Sequence, residues 1–112
     1  MDQDKLAKWQ AYEEREASMT EETYAARDEA MREVFRAFAA VRTTDPASEE
    51  AQEAVRRWHV FIEENFYPCP RQVLAGLGQM FTGDAAFAET LEGYGAGTSA
   101  FMTAAIEIYC RG

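Results

Sequence analysis

The sequence predicts an all-α fold, a single domain of about five or six helices. Apolar residues recur at spacings of three and four, and no run alternates apolar with polar residues as a half-exposed strand would. The only prolines, Pro46, Pro68 and Pro70, fall where this periodicity breaks, as expected for prolines that separate helices. A chain of 112 residues suffices for one hydrophobic core, so residues 1–112 are predicted to form one domain.

The N-terminal third is predicted to be helical but loosely packed. Residues 1–33 are rich in acids, and Leu6, Trp9 and Tyr12 form only a thin apolar stripe. A thin stripe contributes little against the entropy of ordering the chain. We therefore expect a loosely packed region over residues 1–33 and a core over residues 34–112.

Four apolar stripes, with Phe87 and Leu91 for one short helix, predict the remaining five helices in order. A long helix should begin after Thr20, and the next should span about Pro46 to Glu64, capped by Thr44 and Asp45. A helix after the Pro68 and Pro70 joint should end at Thr82-Gly83, and Asp84 can cap a short helix that follows. The final stripe predicts a last helix after a glycine-rich turn. The apolar positions are Met31, Val34, Phe35, Phe38 and Val41; Ala54, Val55, Trp58, Phe61 and Ile62; Val73, Leu74, Leu77, Met80 and Phe81; and Phe101, Met102, Ala105, Ile106 and Tyr109.

Composition excludes several partners. The 20 acids against 11 basic residues give a net charge of -9, which repels nucleic-acid phosphates and anionic membrane surfaces. No stretch approaches the roughly 20 apolar residues of a membrane span. The acidic N-terminus lacks the basic region of a signal peptide, and the two cysteines lack the density of a disulfide scaffold. A cytoplasmic protein with free thiols is predicted.

Catalytic and metal chemistry are not favoured. His59 is the only histidine, so a two-histidine zinc site cannot form, and no familiar triad accompanies it. Arginine at position 56 removes the Glu-x-x-His spacing of a di-iron centre. We predict no enzyme, no metal and no cofactor, although a single histidine leaves a haem sensor open as an alternative.

The second half of the chain is crowded with aromatic residues and methionines. Most should be core, but the polar tips of Trp58, His59, Tyr67 and Tyr94 suit a cleft that orients a flat apolar ligand through a few hydrogen bonds.

These residues carry a family resemblance over roughly residues 50–110. Four pieces occur in order: Trp58-His59 with Phe61-Ile62; Phe66-Tyr67-Pro68-Cys69; Leu77-Gly78-Gln79-Met80-Phe81 with Asp84 and Phe87; and Gly97 with Phe101, Ala105-Ile106 and Tyr109. In this pattern the sequence resembles the TipAS antibiotic-recognition domain, the C-terminal effector-binding part of some MerR-type transcription regulators, which also occurs alone as an antibiotic-sequestering protein.

The resemblance implies a globin-like helical fold without haem, whose cleft binds thiopeptides or other bulky antibiotics, and whose N-terminal helices are mobile until ligand orders them. It also implies cleft or near-cleft positions, namely Trp58, His59, Phe66, Tyr67, Met80, Phe81 and Tyr94. A DNA-binding domain would lie upstream in a full-length regulator, and the isolated domain would be a monomer.

Two positions bear on covalent capture of a ligand. Thiopeptide binders of this family can carry a cysteine before the Leu-Gly pair that adds to a dehydroalanine of the ligand, whereas Gly76 stands there in this chain. Cys69 matches another family cysteine at a helix start. There the helix dipole would lower the thiol pKa, so Cys69 is a candidate reactive thiol, with a cap-and-core role as the alternative.

The sequence therefore predicts non-enzymatic binding of bulky hydrophobic or aromatic molecules by the effector-sensing domain of a MerR-type regulator. A stand-alone antibiotic-sequestering protein and a structural or protein-interaction module are the alternatives.

Overall fold

A computed structural model describes residues 3–111, with the side chains of residues 3–5 left out. Within that range the chain forms six helices and no strands: α1 (Gln3–Ser18), α2 (Glu21–Ala40), α3 (Glu49–Asn65), α4 (Arg71–Gly83), α5 (Ala85–Glu92) and α6 (Thr98–Arg111). The all-α prediction is confirmed. Met1, Asp2 and Gly112, at the ends of the predicted domain, lie outside the described residues. Between residues 3 and 111, no helix is long and apolar enough to cross a membrane.

Side-chain caps begin three of the helices. The hydroxyl of Thr20 accepts a hydrogen bond from the backbone N–H of Thr23 at 3.3 Å, and the carboxylate of Asp84 accepts one from Phe87 at 3.0 Å. The cap at Asp84 and a helix beginning after Thr20 were both expected from the sequence. Each cap accepts from a backbone N–H group that has no partner within its own helix.

The predicted start of α3 was wrong by one turn. Ser48, not Thr44 or Asp45, caps the helix, and its hydroxyl accepts from Ala51 N–H at 3.2 Å. Asp45 and Pro46 instead open a tight turn, in which Ser48 N–H donates to the Asp45 carbonyl oxygen at 2.9 Å. Proline suits the second position of such a turn as well as it suits a first helical turn, and sequence alone could not separate the two.

The core lies where α2, α3, α4 and α6 meet. Phe38, Val55, Leu74, Met102 and Ile106 are fully buried there. Helices α4 and α6 approach each other closely where Gly78 faces Ile106. The Thr103 hydroxyl also donates to the Gly78 carbonyl oxygen at 2.9 Å. This contact fixes α4, the helix that carries Met80 and Phe81 of the predicted site.

The N-terminal third lies outside this core. From Leu6 to Glu33 no side chain is buried, and Val34 is the first buried residue of the described chain. The change in burial therefore falls at the same place as the change in composition. Looser packing of residues 1–33 stays a prediction, since burial does not measure motion.

The start of α6 depends on a carboxylate from α5. Glu92 accepts hydrogen bonds from the backbone N–H groups of Ser99, at 3.1 Å, and Gly97, at 3.0 Å. Gly97 has φ +88, a left-handed conformation that favours glycine. The hydrogen bonds from Ser99 and then Gly97 lower the pKa of Glu92 below its ordinary value of 4.5.

We expect Glu92→Gln to make the protein less stable at neutral pH but not in acid. A carboxyl group with a lowered folded-state pKa contributes stability above its unfolded pKa, and this contribution is lost as the pH falls through the folded pKa. Denaturant unfolding should therefore show a gap between wild type and Glu92→Gln that closes as the pH is lowered from neutral to about 3. Glu89→Gln, on the exposed surface of the same helix, is the matched control. A gap that persists in acid would contradict the role of the charge.

Candidate ligand-binding site

An apolar cavity of about 170 Å³ opens beside α4. Its walls come from α2, α3, the α3–α4 link, α4 and α5, and every lining residue is apolar or aromatic. The lining residues are Met31, Trp58, Ile62, Phe66, Tyr67, Leu77, Met80, Phe81 and Phe87. Met80 is 48% exposed, so the cavity reaches the surface near this side chain. An apolar cleft with few polar groups is the usual form of a small-molecule site.

The link between α3 and α4 supplies two of the aromatic walls. The backbone N–H groups of Phe66 and Tyr67 both donate to the Ile62 carbonyl oxygen, at 2.9 and 3.3 Å, which ends α3. Pro68 and Pro70 then prevent the helix from continuing. Phe66 is further held by the Arg27 guanidinium, 4.4 Å from its ring centroid.

Trp58 forms the floor of the aromatic cluster. Its ring lies 5.6 Å from that of Phe35, 5.8 Å from Phe61 and 5.7 Å from Phe81, measured between centroids. Phe81 in turn lies 5.2 Å from Phe87. Rings at these distances interact favourably and restrict one another. The cluster therefore holds the inner wall of the cavity rigid, while Leu77 and Met80 form a more accessible edge.

The indole N–H of Trp58 has no hydrogen-bond acceptor. Its Nε1 atom is the one buried side-chain nitrogen or oxygen without a partner in the described part of the chain, and the residue is only 4% exposed. Such an orphaned donor is uncommon because leaving it unpaired costs free energy.

The cavity brings together five of the seven residues predicted to line a cleft, namely Trp58, Phe66, Tyr67, Met80 and Phe81. It also includes Met31, predicted only as a helix-stripe position, and Ile62, Leu77 and Phe87, which belong to the family resemblance but were not predicted as cleft positions. Ile62 lies one turn after Trp58, and Leu77 lies one turn before Phe81, so helical spacing could have found both. Nothing in the sequence pointed to Met31 as a wall of the cavity.

His59, predicted as a cleft or near-cleft position, is not among the residues that line the cavity. Its Nε2 donates to the Cys69 carbonyl oxygen at 2.7 Å and lies 3.1 Å from the Glu63 carboxylate, while Nδ1 is 3.0 Å from the Tyr109 hydroxyl. Because successive residues of a helix point about 100° apart, Trp58 and its neighbour His59 cannot share a face. His59 ties α3 to the α3–α4 link and to α6. A haem in the cavity would find no imidazole in its wall.

Tyr94 also lies away from the cavity. It packs edge-on against the far side of the aromatic cluster, with its ring centroid 5.9 Å from that of Phe35. Tyr94 was predicted as a site residue because of its polar tip. The glycine-rich turn after α5 places its ring against α2 and not in the cavity wall. Among the described residues no group of three or more potential ligands could hold a metal ion.

Of the two roles predicted for Cys69, a reactive thiol and a cap-and-core residue, its surroundings favour the core role. It is 3% exposed, and burial, followed by the negative charge of Glu63, raises the pKa of its thiol to about 11. Pro70 occupies the cap position of α4, so Cys69 precedes the helix and packs into the core. Desolvation therefore outweighs any effect of the helix dipole. The thiol stays protonated at neutral pH and acts as a core filler.

Helix α1 contacts the cavity wall from outside. Trp9 stacks on Tyr67 with centroids 5.4 Å apart and planes at 28°, and Tyr12 meets the same ring edge-on at 6.0 Å. Arg15 donates to the Glu64 carbonyl oxygen, and Glu16 pairs with Arg27. Tyr67 thus faces both the cavity and the N-terminal helix.

The fold and the site together define an all-α domain with an aromatic-lined cavity, the architecture of a small-molecule binding domain. The model of the TipAS antibiotic-recognition domain matches residues 3–109. The chain therefore belongs to the TipAS domain family, which confirms the resemblance seen in the sequence.

Two relatives place the chain within this family. It is 34% identical over 77 residues to the HTH-type transcriptional activator mta of Bacillus subtilis (strain 168). The matched segment covers 69% of this chain but 30% of that protein. The chain thus spans less than a third of this relative. The solved structure of TipAS from Streptomyces lividans in complex with nosiheptide, a thiopeptide antibiotic, matches with a TM-score of 0.75 and 28% identity, over 92% of this chain and 73% of that one. The fold is thus the globin-like helical fold of TipAS.

Proposed function

We propose that this chain binds bulky hydrophobic or aromatic small molecules, without catalysis, as the effector-sensing domain of a MerR-type transcription regulator. The observation that carries the proposal is the apolar cavity bounded by Trp58, Phe66, Tyr67, Met80 and Phe81. Membership of an antibiotic-recognition family and the similarity to a transcriptional activator support it. A regulator of this kind acts in the cytoplasm, with a DNA-binding domain upstream.

The size of the cavity bears on how a bulky ligand would bind. About 170 Å³ resembles an engineered cavity of roughly 150 Å³ that holds benzene, so a molecule of several rings can place only a part inside. The remainder would lie at the mouth, beside Met80 and α4. In this proposal α1 closes over the ligand from its position on Tyr67. The net charge of -9 favours neutral or cationic ligands over anionic ones.

We expect a screen of hydrophobic multi-ring antibiotics to yield compounds that raise the unfolding temperature. A ligand at 100 times its Kd stabilises a protein by about 2.7 kcal/mol, or roughly 10 °C for a domain of this size. Leu77→Arg, which puts a charge in the cavity wall, should abolish the shift. Val73→Arg is the matched control, because Val73 is an exposed residue one turn earlier on the same helix.

The result for these variants decides where a compound binds. A compound that stabilises wild type and Leu77→Arg equally does not use the cavity. If no compound in the panel binds, the protein-interaction alternative gains support. A regulator and a stand-alone sequestering protein differ in one measurable respect. When a DNA-binding domain is attached upstream of this chain, DNA binding or transcription should depend on the ligand only if the chain acts as a regulator domain.

A further inference from the structure

Arg27 of α2 joins a wall of the cavity to helix α1. Its guanidinium lies 4.4 Å from the ring centroid of Phe66, a residue that lines the cavity. The same guanidinium pairs with the carboxylate of Glu16 near the end of α1. It also lies 5.1 Å from the ring centroid of Tyr24, in the preceding turn of α2. A cation is therefore held between two rings and one carboxylate beside an apolar cavity.

Arg27 also reaches the C-terminal end of α3. It donates to the Asn65 carbonyl oxygen at 3.4 Å, and Arg15 of α1 donates to the Glu64 carbonyl oxygen. The last carbonyl groups of a helix have no partner within that helix and carry a partial negative charge, so basic side chains stabilise them. Phe66 follows Asn65 directly in the chain. Arg27 thus contacts both the ring of Phe66 and the backbone immediately before it.

Glu16 supplies the charge that balances Arg27. Among the described residues, it is the one carboxylate within ion-pair distance of this guanidinium. The side chains of Arg27 and Glu16 are only 13% and 25% exposed. Removing one member of such a pair leaves the other charge uncompensated. Without α1, the guanidinium would therefore turn toward water and away from the ring of Phe66.

We propose that Arg27 is a positioning residue for ligand binding: it holds Phe66 in the cavity wall, and Glu16 makes that hold depend on the docking of α1. The inference rests on the proposed function and names the contacts that link the closing helix to the site. Because coupling between two sites is reciprocal, a ligand against Phe66 also strengthens the docking of α1. The stack of Trp9 on Tyr67 carries no charge, whereas the link through Arg27 weakens as salt is added.

The test uses toluene, a single apolar ring that suits a cavity of about 170 Å³. Its dissociation constant is measured by NMR for wild type, Glu16→Gln, Arg27→Met and the double variant. Methionine keeps an unbranched apolar side chain against the rings but removes the charge and the hydrogen-bond donors. We expect each single variant to weaken toluene binding by about two- to fivefold, the range of one cation–π contact. The double variant should lose no more than Arg27→Met alone, because Glu16 acts through Arg27.

The matched controls are Glu14→Gln and Arg32→Met, which make the same chemical changes at exposed positions of α1 and α2. Neither should change the dissociation constant of toluene. Arg27→Lys keeps the charge and should restore much of the affinity that Arg27→Met loses, which a role in packing alone would not predict.

Salt provides a further readout. Raising the salt concentration from about 0.05 M to about 1 M should weaken toluene binding more in wild type than in Arg27→Met, because salt screens the attraction between Glu16 and Arg27. Toluene carries no charge, and any effect of salt on its solubility is the same for both proteins. A measurement on wild type alone does not depend on the fold of a variant. Saturating toluene should slow amide exchange over residues 10–18, and high salt should reduce this protection.

The outcomes separate this inference from the proposed function. If toluene binds all the proteins alike at both salt concentrations and does not slow exchange in α1, the link through Arg27 is refuted and the cavity remains a binding site. If the loss in the double variant is the product of the two single losses, Glu16 and Arg27 act separately and the inference fails. It also fails if toluene does not bind wild type. In that case the antibiotic screen still tests the proposed function, since a larger molecule can bind at the mouth.

Discussion

Gly78→Ala should destabilise the protein by about 1–3 kcal/mol relative to Gly76→Ala. A Cβ at Gly78 would lie 2.8 Å from Ile106 Cγ2 and 3.1 Å from Ile106 Cβ. Ile106 is fully buried in α6, and a β-branched side chain in a helix has little freedom to rotate away. Helices α4 and α6 would have to move apart, which would loosen the packing of the core residues that they carry.

Gly76 provides the comparison because it lies in the same helix. A Cβ there would meet no heavy atom within 4 Å among the described residues, apart from its chain neighbours and its own helix backbone. Gly76→Ala should therefore stabilise the protein by about 0.5–1 kcal/mol, the helix propensity that alanine gains at either position. Taking the difference between the two variants removes this common gain and leaves the steric cost.

Thermal unfolding measures the effect. The unfolding temperatures of Gly78→Ala and Gly76→Ala should differ by about 4–8 °C for each kcal/mol of steric cost. Ile106→Ala removes the atoms that clash, so Gly78→Ala should cost much less in that background. Equal unfolding temperatures for Gly78→Ala and Gly76→Ala would mean that α4 and α6 do not approach as closely as Gly78 and Ile106 indicate.

The sequence predicts the helices well because each one has its own apolar stripe. The cap at Asp84 and the start of α2 after Thr20 were predicted from the sequence alone. The start of α3 was not, since Pro46 fits both a turn and a helical first turn. Local rules fail where two local structures accept the same residues, as the turn and the first helical turn both accept Pro46.

The site was predictable only in part. The family resemblance and the helix stripes led to Trp58 and Phe81, which line the cavity. His59 and Tyr94, chosen also for their polar tips, do not line it. Those tips bond or pack elsewhere, which depends on tertiary contacts such as that between His59 and Cys69. The same holds for the unpaired indole and for the raised pKa of Cys69, because both are consequences of burial.

Trp9→Ala should release α1 from the core while leaving the core intact. An isolated helix of this length is marginal in water, so the contacts that α1 makes with the rest of the chain decide whether it stays ordered. Among the described residues, the stack of Trp9 on Tyr67 is one of two aromatic contacts between α1 and the rest of the chain. Losing it should speed amide exchange over residues 10–18 by roughly tenfold to a hundredfold, the effect of about 1.4–2.8 kcal/mol. Exchange in α3, α4 and α6 should not change.

Leu6→Ala is the matched control, because Leu6 lies on the same helix but is 48% exposed, and its effect on amide exchange should be small.

The proposed closure of α1 over a ligand also predicts a result for the wild-type protein. Before ligand is added, residues 1–33 should exchange faster than the core, and a compound that binds the cavity should slow them. Trp9→Ala should weaken that protection, because the released helix has lost its contact with the cavity wall at Tyr67. Exchange in residues 1–33 that is already as slow as in the core, or that no bound ligand alters, would show that α1 is a fixed part of the fold and not a closing segment.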